Sequence, residues 1–147
     1  MKLKKVIFWI IFGVIAYILL DYTHTHTRND VLSYKRFADA VLKGDDFLVR
    51  TTSMGPVAAQ VSESQEARQE LLGGAKRVFT YYRILDRNVT DDGKFSFITA
   101  EQVSRVNPEG FDTVWGEVAV RIRHTVKLEA QNHSWRVVQF SDPARQP

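Results

Sequence analysis

TVWGEVAVRIRHTVKLE, Thr113 to Glu129, is the longest unbroken run of strand alternation in the chain. Val114, Gly116, Val118, Val120, Ile122, His124, Val126 and Leu128 fall on one face, while Trp115, Glu117, Arg121, Arg123, Lys127 and Glu129 fall on the other. One face suits a core and the other suits water. A strand of roughly seventeen residues is about three times the usual length, so it should twist strongly and needs partners along its whole length.

The neighbouring segments read as those partners. Val78 to Val89, VFTYYRILDRNV, carries aromatic and branched residues on both faces, and Asp91, Asp92 and Gly93 supply a turn into Lys94 to Val106. Asn107, Pro108, Glu109 and Gly110 turn the chain into the long strand. Gln131, Asn132, His133 and Ser134 then lead to a last strand, Trp135 to Phe140. Connections this short predict that adjacent strands pair in order, as an antiparallel meander.

Upstream, the period changes from two to 3.6. Asn29 or Asp30 caps a helix with Val31, Tyr34, Phe37, Ala38, Val41 and Leu42 at helical spacing, and Gly44 ends it. Asp45 or Asp46 caps a second, shorter helix that stops before Gly55 and Pro56. Ser62 and Gln65 form a capping-box pattern for a third helix through Ala67, Leu71 and Leu72, closed by Gly73 and Gly74. Helices first and strands last predict an α+β fold: three helices packed on one face of a curved four-stranded sheet.

Ahead of the helices, Val6 to Leu20, VIFWIIFGVIAYILL, contains no charge and approaches the length needed to cross a bilayer. A retained anchor is the leading reading and a cleaved signal peptide the rival, although no small-x-small cleavage site follows Leu20. Lys2, Lys4 and Lys5 precede the segment and Asp21 follows it, which by the positive-inside rule places the amino terminus in the cytoplasm and the domain outside it. The chain is thus parsed as residues 1–22, cytoplasmic start and anchor; 23–29, a polar linker; 30–142, the domain; and 143–147, a frayed tail. His24 and His26 share one side of an extended linker, but two ligands at such a site are a weak metal signal, and no metal or cofactor is expected.

The 147 residues carry 20 Lys and Arg against 17 Asp and Glu, a net charge of +3. Lys2, Lys4 and Lys5 account for that whole excess, so the domain itself is close to neutral and lacks the clustered positive surface that nucleic acid requires. There is no cysteine, which excludes disulfides, thiolate metal sites and a cysteine nucleophile.

Three features together resemble the nuclear transport factor 2-like superfamily over Asp30 to Asp142: the helical start ending in Lys43, Gly44, Asp45, Asp46 and Phe47; the aromatic strand with Tyr81, Tyr82, Arg83 and Ile84; and the long strand with its hairpin to Trp135, Arg136 and Val137. The resemblance implies a cone in which helices close over a highly curved sheet, and it implies pairing through the sheet. In layout the chain is similar to membrane-anchored bacterial members, such as the type IV secretion inner-membrane assembly component and the membrane proteins of lipid-import loci.

Enzymes of that superfamily, isomerases and dehydratases among them, place a carboxylate or histidine base and tyrosines inside the cone. His124, Tyr34, Tyr81, Tyr82 and Glu101 are the residues here that could line such a pocket, with His124 interrupting an apolar face. No carboxylate pair aligns with them, and a lone histidine on an apolar face is more often a hydrogen-bonded core residue. A dry cone would suit a hydrophobic ligand. A third reading puts Trp115, Arg121, Arg123 and Trp135 on the outer sheet face, where aromatic and Arg side chains favour an interface with a second copy or a membrane-protein partner. The expectation is a non-enzymatic binding or assembly domain, anchored in the plasma membrane and exposed outside the cytoplasm. Ligand carriage and small-molecule catalysis are the alternatives.

Overall fold

The long alternating run does become the central strand, but it starts late. A computed structural model describes residues 2–26, 28–70, 75–132 and 134–141, and in it Thr113 to Glu117 belong to a loop. The preceding strand stops at Asn107 and its last ladder pair is Val106 with Val118, so the alternation of Thr113 to Glu117 has no backbone to pair with. Gly116 breaks the run, at φ 71°, a left-handed conformation that disfavours any side chain.

The strands are β1 (Lys76–Val89), β2 (Phe95–Asn107), β3 (Val118–Gln131) and β4 (Ser134–Phe140), an open antiparallel sheet in the order β1-β2-β3-β4. The register aligns Tyr82 with Gln102 and Ile122, Ile84 with Ala100 and His124, and Tyr81 with Val103 and Arg121. Because side chains alternate, this pairing assigns Tyr82, Ile84, Ile98, Ala100, His124 and Val126 to an inner face. Phe79, Tyr81, Arg83, Phe97, Glu101, Arg121 and Arg123 belong to the outer one. Irregularities interrupt β1 between Arg77 and Phe79 and between Ile84 and Asp86, and β4 carries an extra residue, Val138, where its partners step from Lys127 to Leu128.

Ahead of the sheet run α1 (Lys2–His26), α2 (Asn29–Lys43), α3 (Asp46–Thr52), α4 (Gly55–Glu63) and α5 (Gln65–Glu70). In α2, Val31, Tyr34, Phe37, Ala38 and Val41 form one buried stripe. Gly44 ends the helix at φ 69°, and the amide of Asp45 donates to the carbonyl of Ala40 at 2.9 Å. Asp45 caps α3 by accepting from the amide of Leu48 at 3.1 Å. Among the described residues the domain has four helices, where three were expected. Pro56 opens α4 because its missing N–H costs nothing in a first helical turn, so the Gly55–Pro56 pair starts a helix instead of ending one. Ser62 lies inside α4, and α5 begins after Ser64. The expected Leu71, Leu72, Gly73 and Gly74 terminus lies outside the described residues, as does the tail after Ser141.

Helices α2, α3 and α4 pack on the β3–β4 side of the sheet, so the core is one layer between α2 and the inner face, with Phe37, Ile98, Leu128 and Val137 fully buried in it. The amide of Met54 donates to the carbonyl of Val137 at 2.9 Å and thereby covers the β4 edge. Helix α1 is separate in character: it is apolar, long enough to cross a membrane, and none of that stretch is buried in the protein. It continues through Thr23 to His26, which the sequence reading assigned to an extended tether.

Candidate functional site

The inner face gathers three of the five residues proposed for a pocket. Tyr34, on the buried stripe of α2, forms a short hydrogen bond to Nε2 of His124 on β3. Its ring meets His124 edge-on at 5.5 Å and Tyr82 at 6.0 Å, and His124 in turn meets Phe140 at 5.4 Å. Phe37 closes the row against Phe140 at 5.2 Å. These are edge-to-face contacts of tightly packed rings.

The electrostatics follow from burial. His124 is 5% exposed and, among the described residues, faces no carboxylate partner, so burial lowers its pKa to about 4 and the ring is neutral at pH 7. With Nε2 accepting from the Tyr34 hydroxyl, the ring proton sits on Nδ1. Burial drives the Tyr34 and Tyr82 hydroxyls above the ordinary tyrosine range, with Asp39 adding to the effect on Tyr82. The buried hydroxyl of Tyr82 has no hydrogen-bond partner among the described residues. A histidine with this pKa is a weak base, and both phenols stay protonated, so the cluster is poorly poised for proton transfer near neutrality.

Tyr81 and Glu101 do not join it. Both were expected to be able to reach the pocket, and the β1–β2 register puts them on the outer face instead. There Oε1 of Glu101 accepts from Nη1 of Arg121 at 2.8 Å and from Nη1 of Arg83 at 3.4 Å. Tyr81 stacks on Phe79 with ring centres 6.3 Å apart. Between Tyr81 and Arg121 in the ladder, Val103 is fully buried although it lies on this face. Lys127 stands over the ring of Phe95, 4.3 Å from its centre. Among the described residues no helix packs on this face.

Of the four proposed interface residues, Arg121 and Arg123 are on the outer face as expected. Trp115 is not on a strand at all: it sits in the 108–117 loop with its carbonyl accepting from Nε of Arg105 at 3.2 Å. Trp135 is paired with Ala130, in phase with Leu128 and Val137, and therefore packs against the core from the inner face.

Sequence reading treated Asp30 only as a helix cap. It is buried in the first turn of α2, where Nε and Nη2 of Arg87 bind its two oxygens at 2.7 and 3.0 Å and the hydroxyl of Ser96 donates at 2.6 Å. Burial works to raise its pKa, but the bonds from Arg87 and Ser96 outweigh that and hold the carboxyl below the usual carboxylate range. The available signal was a charged Arg87 in phase with apolar positions once the irregularity after Ile84 is counted. Among the described residues, no group of three or more His, Asp or Glu is arranged to hold a metal ion.

No family model, no curated protein and no solved structure matches the chain.

Proposed function

We propose that this chain is a single-pass membrane protein with a cytoplasmic amino terminus and a nuclear transport factor 2-like domain outside the cytoplasm. The domain works by binding, as a component or partner of an envelope complex. Its helices lie on one side of a four-stranded meander, which agrees with that family's layout, and α1 supplies a helix apolar and long enough to be the anchor.

The outer sheet face carries the binding assignment. A sheet face left to water is normally polar. This one exposes Phe79 at 45%, Tyr81 at 42% and Phe97 at 44%, interleaved with Arg83, Arg121 and Arg123. Aromatic and Arg side chains around a desolvated centre, here Val103, are the composition of a binding hot spot. The inner face favours neither alternative, because the rings of Tyr34, His124, Phe140 and Phe37 occupy the position where a ligand or substrate would lie beside His124.

The test replaces Tyr81 with a photo-crosslinking aromatic amino acid in the full chain and irradiates intact membranes. A discrete adduct is expected, lost on Arg121→Glu, with none from the same probe at Asp46 on α3. Absence of any adduct at Tyr81 removes the binding reading.

A further inference from the structure

The 108–117 loop spends an unusual amount of structure on holding exposed apolar side chains still. Oδ1 of Asn107 accepts from the Thr113 hydroxyl at 2.9 Å and the Glu117 amide at 3.0 Å, and its Nδ2 donates to the Thr113 carbonyl at 2.8 Å. Arg105 donates to the carbonyls of Trp115, at 3.2 Å, and Gly116, at 2.6 Å. At Gly116 a Cβ would lie 2.8 Å from the Arg105 backbone, so the turn is seated directly on β2. What this frame presents is Phe111, Val114 and Trp115, which are 54%, 84% and 59% exposed. Glu109, Asp112 and Glu117 are interleaved with them and, among the described residues, enter no ion pair.

Such a tip fits an apolar surface ringed by cations. A bilayer with anionic head groups repels the three carboxylates, whereas the outer sheet face of the same chain has the complementary character. Phe79 and Tyr81 form its apolar centre, Arg121 is half-used by Glu101, and Arg123 has no ion-pair partner among the described residues. We propose that the 108–117 tip of one copy docks on the Phe79–Tyr81–Arg121–Arg123 face of a second copy.

Tip and face are different patches, so the contact is heterologous and propagates as a ring or a row. Anchors in one membrane keep every copy the same way up, and the two patches must therefore meet at equal height. Ser104, Arg105, Val106 and Asn107 alone separate Val103 from the loop, about 13 Å of strand. The anchor enters at the opposite end of the sheet, where Asp30 binds Arg87 and Ser96. A second copy must therefore shift or tilt by about that distance along the strand direction to bring its tip to Tyr81 and Arg121.

This proposal rests on the outer face being the binding surface, and the experiment separates the two. The chain contains no cysteine, so single cysteines report cleanly. Full-length Val114→Cys and Tyr81→Cys copies are co-expressed and treated in membranes with a short bismaleimide. The expected product is the crossed dimer, lost when Glu109, Asp112 and Glu117 are all changed to Lys, and recovered when the partner copy carries Arg121→Glu and Arg123→Glu. Tyr81→Cys joining only to itself overturns the tip as occupant while leaving the face as an interface. A Tyr81 photo-adduct with a different protein and no copy-to-copy product does the same. No product from either probe overturns both.

Discussion

At the scale of single residues, the buried His124 makes stability depend on pH. Its pKa is about 4 in the folded chain against 6.5 for an unperturbed histidine, so above pH 6.5 neither state is charged and the cluster is at full strength. Between pH 6.5 and 4 the unfolded chain takes up a proton that the folded chain refuses, and stability falls by up to about 3 kcal/mol. Asp30, whose pKa is lowered, adds its own loss only below the ordinary aspartate value of 3.8, so the two windows are distinct. Urea unfolding at pH 7 and pH 4.5 should show the midpoint dropping, and the paired change Tyr34→Phe with His124→Leu should flatten that drop. An unchanged wild-type midpoint removes the argument. His124 was legible because it interrupts an apolar alternation. Its neighbour was not, since Phe79, Tyr81, Tyr82 and Ile84 put apolar groups on both faces of β1, and only the ladder to β2 decides which tyrosine turns inward.

At the scale of elements, the bonds of Asp30 to Arg87 and Ser96 join the start of α2 to β1 and β2. Removing one partner of this bidentate pair strands the other charge, which costs up to about 3–5 kcal/mol where that charge is fully buried and less for Arg87, whose side chain is 25% exposed. Asp30→Asn is expected to lower stability by that smaller amount in denaturant unfolding. Asp30→Asn with Arg87→Met should cost much less than the sum of the single changes, because no charge is then left alone. Additive losses would mean that the pair is not a unit. Element boundaries show what local sequence lacks. Gly55 and Pro56 read equally as a stop and as the first turn of α4, and Thr113 to Glu117 alternates like a strand. The end of β2 at Asn107 leaves that stretch without a ladder, a fact set by the partner and invisible in the stretch itself.

At the scale of the whole molecule, the order of elements was the most legible feature, because the change from helical to two-residue period after Gly74 and the turn residues between strands are each local signals. The layered result follows from them, since the single amphipathic stripe of α2 packs on the inner face over β3 and β4. The apolar helix α1 is legible for the same reason, and the direction proposed for it as an anchor rests on charge. Lys2, Lys4 and Lys5 lie on one side of Val6 to Leu20 and Asp21 on the other, and moving lysines across a bilayer is strongly disfavoured. The apolar stretch from Val6 to Leu20 is about 22 Å long as a helix, short against a hydrocarbon core of about 30 Å. As a spanning helix it would set Leu3 and Tyr22 near the interfaces, with the lysine side chains reaching out to water. This arrangement predicts that Asn88→Cys reacts with a membrane-impermeant maleimide in spheroplasts, while Lys2→Cys reacts only after detergent lysis. Intact mass should also show the chain retaining Trp9, since loss of the first segment would make α1 a cleaved leader. The opposite labelling pattern would reverse the orientation, and with it the assignment of both the outer face and the 108–117 tip to partners outside the cytoplasm.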